Sequence, residues 1–232
     1  MKDETKAKKI HGKNFKRTIH KLDPQFREKI LEEAIRQDGI FAPAIAISFA
    51  TGCRPAELKN GVKVVIDPAN QTFRFEISGA KVSESRGIEK RIFVTKINLD
   101  MGPSWQKYLI SMCAGNEISI KIDNAKSYGN AVTNISKKLW PRRAEQASPY
   151  SFRHALATDL KSSWLDKITI ASVMGHLSTA SQNAYGRKRS GGRKMMIERV
   201  ETSREIKTKS PLDRFKRKSK STSKPLKRPL KP

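Results

Sequence analysis

Arg54, Arg153, His176 and Tyr185 carry the groups needed to break a phosphodiester bond without a metal. Such a cleavage requires an attacking oxygen, positive charge on the two non-bridging oxygens, a proton for the leaving 5′-oxygen and an acceptor for the nucleophile's own proton. Phosphoryl transfer is mostly positioning and electrostatic stabilisation, so guanidinium groups suffice to supply the charge. Arginine suits this better than lysine because its planar fork meets a phosphate bidentately.

The four residues sit in short motifs. Arg54 lies in Thr51-Gly52-Cys53-Arg54-Pro55-Ala56-Glu57-Leu58, and Arg153 in Tyr150-Ser151-Phe152-Arg153-His154. His176 lies in Met174-Gly175-His176-Leu177-Ser178, and Tyr185 follows it by nine residues. Each has an ordinary reading alone. A Gly-x-Arg turn with Glu three residues on is a common helix start with a local ion pair, and single His or Tyr residues are commonly structural. Together, in this order and spacing, they resemble the tyrosine recombinases, the phage-integrase family, over about residues 22 to 187.

That resemblance assigns roles. Arg54 and Arg153 look like the family's two phosphate-binding arginines, Glu57 like the acidic residue that steadies the first, and Tyr185 like the nucleophile, with His176 beside it. Tyr150 stands where the family has histidine most often, and lysine or tyrosine less often. A phenol with an unperturbed pKa of roughly 10 is a hydrogen-bond donor at neutral pH rather than a base. Lys81, in Ser78-Gly79-Ala80-Lys81, matches the lysine that protonates the leaving group from the tip of an early β-hairpin, with Arg86, Lys90 and Arg91 as competitors nearby. His154 is expected to face away and support its helix, while His11 and His20 stay unassigned. No metal and no cofactor is implied. The implied reaction is attack by Tyr185 to give a 3′-phosphotyrosine and a free 5′-hydroxyl. Strand exchange through a Holliday junction would follow, on a mobile element being integrated or excised. Implied partners are double-stranded DNA, further copies of the chain as a tetramer in a synaptic complex, and an accessory DNA-bending protein.

Charge is consistent with a polyanion partner. The 232 residues carry a formal charge of +26, with residues 1–21 contributing +6 and residues 207–232 contributing +10. Each phosphate neutralised by Lys or Arg releases condensed counterions, so nucleic acid is the first inference. Charge alone equally fits a ribosomal or histone-like protein without chemistry. The C-terminal run, rich in Lys, Arg, Ser and Pro, is expected to be a disordered DNA-tracking tail, because it has too little apolar surface to offset its ordering entropy. No run of 18 apolar residues and no apolar leader appears, which points to a cytoplasmic, nucleoid-associated protein. Cys53 and Cys113 lack metal-ligand spacing and read as structural thiols.

The elements that must hold the candidate residues read as one mainly α domain with a small three-stranded antiparallel sheet. Asp23-Pro24 opens a helix that stops near Gly39. Phe41 to Ala50 is a buried helix, and Thr51-Gly52 ends it so that Arg54 points outward at the start of a short turn. Val62 to Asp67, Thr72 to Ser78 and Ile88 to Val94 form the sheet, with Gly79 to Gly87 as a hairpin tip. Helices are predicted over Pro103–Met112, Tyr128–Trp140, Ser151–Lys161, Asp166–Met174 and Ser178–Arg187. Trp105, Trp140 and Trp164 fall on apolar faces and are expected in the core. Boundaries follow: a basic arm at 1–21, a catalytic domain at 22–188, a Gly191-Gly192 hinge with a short helix at 189–206, and the basic tail at 207–232. The helix, with Met195, Met196, Ile197 and Val200 on one face, is expected to dock on a neighbouring protomer.

Family members carry an N-terminal helical domain that clamps the duplex, whereas about 20 basic residues precede the first helix here. Three alternatives stay open: a type IB topoisomerase-like nicking and resealing enzyme, a catalytically weak or inactive DNA-binding accessory protein on the same fold, and a basic RNA-binding protein.

Overall fold

The computed structural model describes residues 19–84, 87–98, 100–113, 115–185 and 195–208. In chain order the elements are α1 (Phe26–Arg36), α2 (Ala42–Thr51), α3 (Pro55–Asn60), β1 (Val62–Asp67), β2 (Thr72–Ser78) and β3 (Lys90–Lys96). Then come α4 (Ser104–Met112), β4 (Glu117–Ile120), α5 (Ala125–Leu139), α6 (Pro149–Ser162), α7 (Lys167–Val173) and β5 (Ile197–Thr202). Short 3-10 turns cover Ile19–Lys21 and Thr179–Ala184. Most of the expected arm and tail, Arg86, the Gly191-Gly192 hinge and Arg187 lie outside the described residues.

Helix α2 is apolar on every face, so it has to be surrounded. Residues Ala44 to Thr51 are all buried, and α1, α4 and α6 pack around them. A buried Arg27–Asp159 ion pair at 2.6 Å ties α1 to α6. The first helix begins later than its sequence signals imply. Gln25 is the N-cap, while the Asp23 carboxylate accepts from the Gln25 N–H at 2.8 Å, so Asp23-Pro24 forms the approach to the helix.

The sheet has five strands, not the expected three, in the antiparallel order β4-β1-β2-β3-β5. One row of paired residues, Ile118, Val64, Phe75, Phe93 and Val200, crosses all five. Trp105 of α4 closes this face, its ring 5.1 Å from that of Phe73 and 5.9 Å from that of Phe75. The expected C-terminal helix is strand β5. A bulge opposite Val94/Thr95 skips Glu198, pairing Phe93 with Val200 and Thr95 with Ile197, so two residues three apart face the same side. The predicted helix over Ser178–Arg187 is a 3-10 turn over Thr179–Ala184, and Trp164, expected in the core, is 80% exposed.

Candidate active site

Three local devices bring the candidate residues together. Helix α2 ends at Gly52 with φ +55, a left-handed conformation that disfavours any residue with a Cβ. A Cβ there would also lie 2.8 Å from Leu156 Cδ2, so this glycine lets α6 approach the α2 end. Arg54 is the N-cap of α3, followed by Pro55 at the first helical position, and Glu57 reaches back to accept from the Arg54 N–H at 2.8 Å. Finally, α7 runs out at Gly175, φ +64, which turns His176 back toward α6.

Arg153, on α6, is 1% exposed and occupies the centre of the cluster. Its Nη1 donates to the Gly52 carbonyl at 2.9 Å, and its Nη2 donates to the Met174 carbonyl. The remaining contacts join three of the four candidates. Arg153 Nε donates to the Tyr185 hydroxyl at 3.0 Å, and Nη2 to His176 Nε2 at 3.1 Å. Because a guanidinium can only donate, His176 Nε2 is an acceptor and the ring proton sits on Nδ1. The same Nε2 lies 3.3 Å from the Tyr185 hydroxyl, within hydrogen-bond reach. Among the described residues, the buried His176 Nδ1 has no hydrogen-bond partner.

The Tyr185 ring packs against two imidazoles, with centroids 4.9 Å away at His154 and 5.3 Å away at His176. His154 therefore faces the candidate nucleophile and not away from it, a correction to the sequence expectation. Lys161, about two turns further along α6, donates to the carbonyls of Gln182 and Tyr185 at 2.9 and 3.4 Å, fixing the end of the 3-10 turn.

Arg54, whose side chain is 18% exposed, joins the set through Glu57, to which its Nη1 donates at 2.6 Å. The same carboxylate receives Arg91 from β3, Nη1 at 3.1 Å and Nη2 at 3.0 Å. Burial would raise the Glu57 pKa, but the guanidinium groups of Arg91, Arg153 and Arg54 overcome it and bring the value down to about 2. Burial, then the charges of Arg153, Arg54 and Arg91, hold His176 well below its usual range, at about 2. Burial and Arg153 likewise lower His154, to about 4. Both imidazoles are neutral at pH 7. The thiol of Cys53 is pushed up to about 11 by burial and by Glu57, so it stays protonated.

Two expected members lie at the surface. Lys81 is exposed in the β2–β3 connection, whose base is tied to α3 by the Asn60 side-chain amide donating to the Gly79 carbonyl at 3.2 Å. Tyr150 is 41% exposed in the first turn of α6. Sequence reasoning also missed Arg91 as a member, although an inward-facing charge alternating with Phe93 and Thr95 along β3 was a visible signal. A cleft of about 1080 Å³ lined by Arg27, Phe49, Thr95, Trp105 and Met195 contains none of the four candidates.

No family model matches the sequence, and no curated protein does. Among solved structures, XerA recombinase superposes with a TM-score of 0.51 at 20% identity, over 71% of this chain and 58% of that one. The Tn1549 transposon integrase bound to a circular-intermediate DNA superposes with a TM-score of 0.45 at 17% identity, over 80% of this chain and 63% of that one. XerH recombinase bound to a palindromic difH substrate gives 0.42 at 19%, over 71% and 48%. This chain thus spans little more than half the length of the XerA recombinase it matches. The sheet, the helices around α2 and the XerA superposition together give this chain the fold of a tyrosine-recombinase catalytic domain.

Proposed function

We propose that this chain is a site-specific DNA recombinase or integrase that cleaves and rejoins duplex DNA through a 3′-phosphotyrosine. The observation that carries this reading is the Tyr185 hydroxyl held between Arg153 Nε and His176 Nε2. The phenol lies within hydrogen-bond reach of a neutral imidazole, which can take its proton once a bound phosphate's negative charge offsets the burial and the arginines that hold the His176 pKa at about 2, and the guanidinium beside it supplies charge for that phosphate. On attack, the Tyr185 oxygen bonds to phosphorus as the bond from phosphorus to the 5′-oxygen breaks. The phenol proton passes to His176 Nε2, and the 5′-oxygen takes the broken bond's electron pair and a proton from Lys81. Arg54 and Arg153 bear the charge of the non-bridging oxygens. Tyr150, in the first turn of α6, donates to the same phosphate. A 5′-hydroxyl from a partner strand reverses the step and releases Tyr185, so no high-energy cofactor is consumed.

Double-stranded DNA is the substrate, gripped in part by a chain of charge +26. Strand exchange needs two duplexes and hence several copies of the chain, a tetramer in the synaptic complex, with an accessory DNA-bending protein supplying what one catalytic domain does not. The setting is the integration or excision of a mobile element.

The test is trapping on a pool of nicked suicide duplexes of randomised sequence. The wild-type chain should give a covalent protein–DNA band, and Tyr185→Phe none. A band that persists in Tyr185→Phe, or that maps to Tyr150, would overturn the assignment. A DNA-binding accessory role is the second reading, favoured by Arg153 being closed to solvent. Tight duplex binding with no covalent product from any sequence would favour that role.

A further inference from the structure

We propose that Arg91 is a positioning residue that locks Arg54 and His176 into register across three separate elements. The inference rests on the recombinase reading for its consequence, but its physical basis is independent of DNA. Arg91 occupies an inward position on β3 and is 1% exposed, among the most deeply buried large side chains of the chain. A buried charge persists only with partners on every side. Arg91 has them in two directions. Its Nη1 and Nη2 fork onto both oxygens of Glu57, the residue that binds Arg54 through its backbone N–H and its guanidinium. Its Nε donates at 3.0 Å to the carbonyl of Val173, the last residue of α7.

The second contact reaches His176. The carbonyls at a helix C-terminus lack intrahelical partners, and here two buried arginines take consecutive ones, Arg91 that of Val173 and Arg153 that of Met174. Gly175 follows at φ +64, and a Cβ on it would lie 2.6 Å from Arg91 Nη1, so the turn into His176 is moulded on the Arg91 guanidinium. One planar group therefore connects the α3 N-terminus that presents Arg54 with the turn that presents His176. Lysine cannot replace it, since a single ammonium has no planar fork that meets two carboxylate oxygens while a further N–H reaches a third acceptor.

The experiment compares Arg91→Lys with wild type in two arms, after circular dichroism and melting show that it folds. The first arm needs no DNA. The sequence has only four histidines, so side-chain NMR can follow the His176 ring directly. The inference expects the His176 resonances to move in Arg91→Lys while those of His11 and His20 stay in place. The second arm measures single-turnover cleavage. It should fall by about 10²-fold while the duplex Kd stays within about threefold, as for a loss of alignment rather than of grip. In an Arg54→Ala background the same change should cost much less, because Arg91 acts on the reaction partly through Arg54.

Unmoved His176 resonances, or a cleavage rate equal to wild type in a folded Arg91→Lys, would overturn the inference and leave Arg91 a purely structural ion pair. If wild type forms no covalent product, the recombinase reading fails and the NMR arm alone decides the positioning role. Should Arg91→Lys not fold, Arg91→Gln replaces it, removing the fork onto Glu57 without altering the turn that carries His176. The same two readouts and the same overturning results apply.

Discussion

Arg153 Nε donates to the Tyr185 hydroxyl at 3.0 Å, so the candidate nucleophile rests on the guanidinium proposed to bind its target. Arg153 is almost wholly closed to solvent in this arrangement, with Gly52, Met174 and His176 taking its other contacts. A phosphate and the phenol thus compete for one donor. On the proposed mechanism, Tyr185 has to give up that hydrogen bond as DNA arrives.

Tyr185→Phe separates the resting role of the hydroxyl from its chemical one. The ring should keep its contacts with His154 and His176, but a buried N–H loses its acceptor, and stability should fall by about 1–3 kcal/mol. Covalent trapping should vanish. Urea denaturation beside the trapping assay checks both, and an unchanged urea midpoint would mean that the Arg153 contact is not held in solution.

Arg54 and Arg153 should differ in stability and agree in rate. Alanine at either position should slow cleavage by about 10²–10³-fold, the cost of one lost donor to developing charge. Arg54 is partly exposed and Glu57 retains Arg91 without it, so Arg54→Ala should cost no more than about 1 kcal/mol of stability. Arg153→Ala strips the Gly52 and Met174 carbonyls of a buried donor, a loss of about 3 kcal/mol or more. Equal destabilisation by the two changes would contradict the burial difference on which this rests.

Acid should destabilise the fold from near neutrality downward. His176 and His154 have folded pKa values of about 2 and about 4, against about 6.5 when unfolded, so the unfolded chain binds protons first as pH falls. Their contribution is whole above about pH 6.5 and shrinks below it, by about 1–2 kcal/mol each by pH 5. Glu57, lowered from 4.5 to about 2, acts in the same sense, its stabilisation being present above 4.5 and lost as pH falls toward 2. Urea midpoints from pH 8 to 4 should show the decline, and His176→Gln should flatten the part between pH 7 and 5. A midpoint that rises on acidification would contradict neutral, buried imidazoles.

The candidate site was legible in the sequence where one residue type had one chemical use. Arg153 lies 23 residues from His176 and 32 from Tyr185, and the hydrogen bonds join all three side chains that the motifs singled out. His154 was misjudged because adjacent helical residues point about 100° apart, and the Tyr185 ring is large enough to lie over both Arg153 and His154. Strand β5 was misread because its bulge places Ile197 and Val200 on one face with helical spacing. Strand β4 escaped notice because four residues of Glu117–Ile120 carry too little alternation to stand out, and its pairing with β1 supplies the order. Local pattern reports on a face; it does not report on what lies opposite that face.

The C-terminal segment should divide at Thr208, and its two parts should fail differently. After β5, Ser203 Oγ accepts from the Glu89 and Lys90 N–H groups, and Arg204 donates to Glu89 and to the Ser83 carbonyl, so the Lys81 hairpin is held from this side. Ile206 is buried with Ile88 and Ala171, and Lys207 pairs with the chain at Leu177 and Thr179, just after His176. Truncation after residue 194 would uncover the β3 edge and release both sides of the site at once. Loss of stability, self-association through the bare strand and a cleavage defect should result. Truncation after Thr208 removes ten Lys and Arg residues and Asp213 but none of these contacts. That shorter loss should leave the urea midpoint unchanged, weaken binding on every duplex sequence and flatten the salt dependence by about 0.9 in log–log slope for each phosphate contact removed. Salt titrations on several duplexes, with light scattering for self-association, distinguish the two. An unchanged slope without residues 209–232 would show that the tail does not contact DNA, and an unchanged midpoint without residues 195–232 would show that β5 is not part of the folded domain in solution.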